Sequence, residues 1–303
     1  PFMSFLFKPP ATAEVDTLSL HDALPIFNQV LGDCEHRIDE FCGIGIGAPA
    51  VLDPDYGIVK LMPNLYGGWR DVPLGELISR EIGIPVHLIN DVRATTFGEW
   101  KYGAGKGAKN MVCFAVGTGV GGGVVVNDQL VMNFNGTTGE LGHMIIDPNG
   151  PECGCGNHGC LEAYASGPAL AAMGIKSVKQ GRTTIIGDLV NYDLNSITPE
   201  VIANAAQKGD QIALDIFEYI GRMLGIAAAN VSLVVGPEVI VISGGVSLAG
   251  DLLLDPIRET IRSRIFVMPR EVIQVRVGAL GDQAGILGSA NWASFKAKQS
   301  GCI

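Results

Sequence analysis

The stretch MVCFAVGTGVGGGVVVN, residues 111–127, decides what kind of α/β protein this is. Met111 to Val116 is an unbroken apolar run, the pattern of a strand buried on both faces. Gly117-Thr118-Gly119-Val120-Gly121-Gly122-Gly123 follows, and a second strand is expected over Val124 to Asn127. Strand, glycine turn and strand make a hairpin. A dinucleotide or Walker site needs strand, glycine turn and helix, so this motif is neither. Backbone N–H groups with no Cβ beside them are able to approach phosphate oxygens. The plain alternative is a tight hairpin with no ligand.

Just downstream, His143, Cys153, Cys155 and Cys160 stand in the pattern H-x9-C-x-C-x4-C. Imidazole and thiolate suit zinc, and four such ligands fill its tetrahedron. Glycines at 154, 156 and 159 let a short loop fold around one ion. A closed four-ligand set predicts a structural zinc rather than a metal that activates water. Free thiols or a disulfide are the alternatives, and His158 competes with His143 as fourth ligand. His143 is preferred because His158 sits at the tip of a loop already committed to sulfur. Glu140 and Glu162 flank the cluster, and a loop folded on zinc is expected to bring them together. Their apolar, glycine-rich context sets them apart from ordinary solvated acids.

Working outward, strands alternate with helices, which indicates an α/β protein with sheets covered on both faces. Strands are expected within Phe41 to Pro49 (ending in a Gly/Pro loop), over Pro85 to Asp91 (ending in two polar residues), Val239 to Ser243 (ending in Gly244-Gly245) and Val272 to Val277. Helices are expected around Asn28 to Glu40, and over Leu74 to Glu81, Ala94 to Tyr102, Leu161 to Met173, Pro199 to Lys208, Gln211 to Val235, Gly250 to Arg264 and Gln283 to Lys298. Residues 1–26 show no sustained period and no cap. They read either as a flexible leader or as translated sequencing-adapter sequence, and are expected to be non-native.

The chain has 303 residues, 47% of them hydrophobic, near the size at which one core splits into two. The net charge of −10, with no basic stripe, excludes a nucleic-acid binder of the usual kind. An anionic cofactor must then be held locally, by backbone amides or metal. Three of the seven cysteines crowd into the eight positions 153–160. With no signal peptide and no apolar run of membrane-spanning length, that crowding reads as metal binding in a cytoplasmic protein rather than as disulfides.

The segments Gly139-Glu-Leu-Gly-His143 and Cys153-Gly-Cys-Gly-Asn-His-Gly-Cys-Leu-Glu162 closely resemble the signature of the ROK family of repressors, open reading frames and kinases. The resemblance continues through Asn90-Asp91, Gly117 to Gly123, Ser243-Gly-Gly-Val246 and Gly281-Asp-Gln-Ala-Gly285, and covers roughly residues 41 to 292. It implies an actin-like ATPase (ribonuclease H-like) fold with two lobes and a cleft between them. The small lobe is expected over 1–108 with the helix at 287–303, and the large lobe over 109–286. The implied activity is ATP-dependent phosphorylation of a hexose, with Mg2+ and a structural Zn2+. By resemblance Asp91 is the general base; Asn90, Glu140, His143 and Glu162 bind the sugar. Gly117, Thr118, Gly119, Gly121 and Gly122 meet the ATP phosphates, and Gly244 and Gly245 the adenosine. A separate role for Asp91, as N-cap of the helix that follows it, is possible alongside. Partners are expected to be sugar and ATP, without nucleic acid or membrane, in a homodimer.

Asn64-Leu65 and Trp69 resemble a glucokinase-like segment, which favours the 6-hydroxyl of glucose. Fructose, mannose, allose, N-acetylmannosamine and N-acetylglucosamine stay open, as do a sugar-responsive transcriptional regulator and a zinc-stabilised binding protein without catalysis. The sequence departs from the family twice. No Asp-x-Gly-Gly-Thr phosphate loop is found before Gly43, so the chain as written is expected to bind ATP–magnesium poorly, turn over slowly and expose an unpaired sheet edge. After Asp91 the family has a small residue and Asn, where this chain has Val92 and Arg93.

Overall fold

The computed structural model describes residues 3–6, 37–62, 69–132 and 136–301. The chain divides into two compact units. Unit 1 is Pro1–Gly103, Leu130–Thr138 and Asp282–Ile303; unit 2 is Ala104–Gln129 and Gly139–Gly281. The sequence placed the boundaries at 108/109 and 286/287 and left 130–138 in the large lobe; here that segment joins unit 1.

Unit 1 holds β1 (Met3–Leu6), β2 (Ile44–Ala48), β3 (Val51–Asp53), β4 (Ile58–Met62), β5 (Trp69–Val72) and β6 (Val86–Asn90). β2 lies between β1 and β6 and is parallel to both, with Met3 opposite Ile44 and Ile44 opposite Val86. β1 comes from the stretch expected to be a leader, and it makes β2 the central strand of this sheet, which ends at β1 and β6 among the described residues. A mostly apolar run without alternation is what a parallel strand requires. The helix expected around Asn28 lies largely outside the described residues, and Ile38–Glu40 is a single 3-10 turn. β3, β4 and β5 form a small antiparallel sheet. Its Trp69 is buried in a core with Ile46, Leu52, Met62, Leu74 and Leu88. Asn64 and Leu65, read with Trp69 as one segment, lie outside the described residues.

The C-terminal helix Gln283–Gln299 packs on β2 and on the helix Asp91–Tyr102. The two helices touch backbone to backbone: a Cβ on Gly288 would fall 1.7 Å from the carbonyl oxygen of Ala94. The indole N–H of Trp292 donates to the carbonyl of Leu88 at 2.9 Å, which fixes this helix to β6.

Unit 2 is built on a sheet of β7 (Met111–Val116), β8 (Val120–Val126), β9 (Gln129–Leu130), β10 (Val239–Ser243) and β11 (Gln274–Val277), ordered β11-β10-β7-β8-β9. β10 is parallel to β7 and β11, and β7 and β8 form the hairpin. β10 is buried along its whole length, as its apolar sequence requires. The 25-residue helix Gln211–Val235 is capped by Asp210, which accepts from the Ala213 N–H, and is stopped by Gly236 at φ 60°. Instead of one helix over 161–173 there are two, Glu162–Ala165 and Gly167–Lys179. Ser166 breaks them by capping the second, and Pro168 suits its first turn. Among the described residues no helix is long and apolar enough to cross a membrane.

Candidate functional site

In the hairpin, strand β8 begins at Val120, so the turn is only Gly117-Thr118-Gly119. Gly121 and Gly122 lie within the strand, opposite Ala115 and Phe114. The absence of a side chain at Gly122 serves packing: a Cβ there would sit 2.3 Å from Leu141 Cγ. The Gly139–His143 segment thus lies directly on the hairpin. β7 and β10 are parallel neighbours, with Ala115 opposite Ser243, so their carboxyl ends place two glycine turns side by side. Gly244, at φ 86°, touches the carbonyl of Val116, where a Cβ would fall 2.4 Å away. A crevice at the carboxyl ends of parallel strands is where α/β sheets bind ligands.

A cavity of about 370 Å3 opens there, lined by Gly117, Thr118, Gly245 and Val246. Two helix N-termini reach it, Gly167-Pro168 and Thr198-Pro199. Such ends carry partial positive charge and free N–H groups, which suits an anion. A second cavity of about 330 Å3 adjoins it, sharing Pro199, Glu200, Gly245 and Val246, and continues to Asn204, Phe217 and Leu248. Gly245 has open space where a side chain would stand. The helix starts at 167 and 199 were not read as part of a site. Ser-Gly-Pro and Thr-Pro, a cap followed by proline, were the available signals.

The four metal-ligand candidates converge. One donor atom from each of His143, Cys153, Cys155 and Cys160 lies within 4.8 Å of all the others. Cys155 and Cys160 sulfurs are 3.7 Å apart, and Cys153 Sγ is 3.8 Å from His143 Nδ1. Tetrahedral zinc bonds of about 2.3 Å to sulfur and 2.0–2.1 Å to nitrogen put ligand atoms roughly 3.5–3.8 Å apart. The geometry therefore fits zinc. His158, the rival ligand, is exposed and outside the group. Burial pushes the Cys160 thiol up to about 12 and raises Cys153 as well, whereas the hydrogen bond from the Asn157 backbone lowers Cys155. Buried thiols give up their protons readily only to a compensating cation.

Backbone pairing joins the loop to the rest of the site. Leu161 N–H donates to the Met144 carbonyl at 2.9 Å, and Cys160 bridges to Ile145. Glu162, two residues beyond Cys160, accepts the Val120 N–H on Oε2 at 2.9 Å, and its Oε1 lies 3.7 Å from Cys153 Sγ. One carboxylate thus touches both the glycine hairpin and the cysteine cluster. Glu140 is exposed, directly before the 3-10 turn Leu141–His143.

Asn90 and Asp91 lie in unit 1, where β6 passes into the helix Asp91–Tyr102. The helix cap is Asn90, not Asp91. Asn90 Oδ1 accepts the N–H groups of Val92 and Arg93, at 3.1 and 3.2 Å. Asp91 is the first helical residue, and its Oδ1 accepts the Val92 N–H at 2.9 Å. Arg93, left without a role by the sequence, is buried and hydrogen-bonded to Asn90 and Thr138.

A model of the ROK family matches residues 11–296, beginning inside the stretch read as a leader. A glucokinase of Halalkalibacterium halodurans is 38% identical over 276 residues, covering 90% of this chain and 81% of that protein. A xylose repressor of Caldicellulosiruptor bescii is 34% identical over 246 residues, covering 81% of this chain and 61% of the repressor. Among solved structures, a ROK family glucokinase from Streptomyces griseus, in complex with glucose and AMPPNP, superposes with a TM-score of 0.80 at 31% identity, covering 94% of this chain and 89% of the other. This chain belongs to the ROK family and has its actin-like ATPase fold.

Proposed function

We propose that the protein is an ATP-dependent hexose kinase that transfers the γ-phosphoryl group of ATP to the 6-hydroxyl of glucose. The observation that carries this reading is the cavity of unit 2, where the 117–119 turn, two helix N-termini and Gly245 meet. In a chain of net charge −10, these backbone groups supply local positive potential for phosphate. The triphosphate lies at Gly117, Thr118 and Gly119 with its magnesium, and the adenosine runs past Gly244 and Gly245 into the adjoining cavity. Gly121 and Gly122 support the turn from within β8.

Phosphoryl transfer needs positioning and charge stabilisation more than covalent help from the protein. Asp91 takes the proton of the attacking hydroxyl as the new O–P bond forms. Asn90, Glu140, His143 and Glu162 bind the sugar hydroxyls. His143, Cys153, Cys155 and Cys160 hold a zinc whose chemistry is structural: it closes the loop and so fixes Glu162. The protein works in the cytoplasm, as a homodimer.

The test is ADP formation by the zinc-loaded chain with glucose, fructose, mannose, allose, N-acetylmannosamine and N-acetylglucosamine. Turnover is expected to be slow, because no Asp-x-Gly-Gly-Thr loop stands before Gly43, with glucose giving the highest kcat/KM; a better rate with another hexose would reassign the substrate. The likeness to xylose repressors favours a second reading, a sugar-responsive regulator. Sugar binding and operator DNA binding without phosphoryl transfer would establish it instead.

A further inference from the structure

Arg93, the second residue after Asp91, is only 2% exposed. Its Nη1 donates to Asn90 Oδ1 at 2.8 Å, while Nε and Nη2 both donate to the Thr138 carbonyl, at 2.8 and 2.5 Å. The same Asn90 oxygen accepts two backbone N–H groups of the helix start. Asn90 Nδ2 donates to the Ala50 carbonyl at 3.3 Å. Three donors on the oxygen and one acceptor on the nitrogen leave the amide one orientation. What it retains for a ligand is a single N–H, able to donate to a hydroxyl oxygen.

Arg93 also holds the chain at a particular place. Thr138 is the last residue of the 130–138 segment of unit 1, two residues before Glu140. Gly136, at φ 70°, is pressed on β3, where a Cβ would fall 2.0 Å from the Leu52 carbonyl. The segment is thus seated at two points, on Leu52 and on Arg93.

We propose that Arg93 is a positioning residue for the acceptor sugar, a step that rests on the hexose-kinase reading. Its guanidinium locks the Asn90 amide so that the N–H faces the sugar, steadies Asp91 next to it, and pins Thr138 ahead of Glu140. The planar fork serves two acceptors at once, which a lysine ammonium in the same place does not reproduce. Without it the Asn90 oxygen keeps only its two backbone donors and the Thr138 carbonyl loses the guanidinium, so the amide and the 130–138 segment are held less firmly.

Steady-state kinetics on the full zinc-loaded chain test this, comparing wild type with Arg93→Met and Arg93→Lys. Losing a charged hydrogen-bond donor is expected to raise the glucose KM roughly tenfold or more in Arg93→Met, and less in Arg93→Lys. The ATP KM and the zinc content stay close to wild type, while Tm falls because the Thr138 carbonyl loses its guanidinium donors. Millimolar guanidinium ion is expected to lower the glucose KM of a further variant, Arg93→Ala, whose vacated site it enters, and leave wild type unaffected. An unchanged glucose KM, or equal rises in both KM values with no guanidinium rescue, overturns the positioning role. If Arg93→Met does not fold, the KM split in Arg93→Lys decides alone. Wild type that forms no ADP with any hexose refutes the kinase reading itself, and the Arg93 role with it.

Discussion

Asp91 stands where a strand becomes a helix, beside a residue that has taken over the capping duty. On the proposed reading Asp91 is the general base, and a general base contributes about 10²–10⁴ in rate. Asp91→Asn is therefore expected to lower kcat by roughly that factor while the glucose KM moves only a few-fold, as measured by coupled ADP release. An unchanged kcat would remove the base role. The pair Asn90-Asp91 was legible in the sequence, but not which of the two caps the helix. Both are strong capping residues, and the choice depends on which side chain the Arg93 and Ala50 contacts hold in place. His87, on β6, shows a different residue-scale effect. Burial, and then the charge of Lys296, hold its proton affinity below the usual 6.5. Below that pH the unfolded chain binds a proton that the folded chain resists, so stability falls as pH drops through about 6.5 toward the lowered folded value. Urea unfolding at about pH 7.5 and about pH 5.5 is expected to show this loss, and His87→Gln to reduce it. An identical pH slope in the variant would contradict the assignment.

At the scale of elements, the cysteine loop and the glycine hairpin are one construction joined by Glu162. Cys155→Ser removes one of four ligands, so zinc content is expected to fall well below about one per chain. Glu162 loses its support with it, and the glucose KM is expected to rise while ADP affinity holds. Metal analysis and ADP titration check both parts; full zinc content with unchanged kinetics would sever the loop from the sugar site. The ligand set was legible because His and Cys at such spacing have few other uses. The hairpin was legible as strand, turn and strand, yet its glycines were read as one phosphate loop. Gly121 and Gly122 belong to β8 because Leu141, nineteen residues beyond Gly122, packs there; local sequence does not show such a contact. The break at Ser166 was visible in Ser-Gly-Pro. The β3–β5 sheet was not, since its strands of three to five residues carry little alternation.

For the whole molecule, composition and the order of elements sufficed to indicate an α/β protein in two units. They did not show that 130–138 belongs with unit 1, which follows from tertiary contacts of Arg93 and Leu52 far away in sequence. Nor did they show that Met3–Leu6 would pair with β2, because a four-residue strand carries too little pattern to be recognised alone. The net charge of −10 bears on the account at this scale. On the proposed reading an acidic protein holds a triphosphate through oriented local groups, and activity is expected to depend on the backbone of unit 2 and on added magnesium. The most direct test is to incubate the zinc-loaded protein with glucose, ATP and magnesium, quantify ADP, and locate the new phosphate ester by phosphorus NMR. The account predicts glucose 6-phosphate formed mole for mole with ADP, and its loss in Asp91→Asn. Protein that binds ADP and zinc yet forms no sugar phosphate, or that retains full activity in Asp91→Asn, would contradict it.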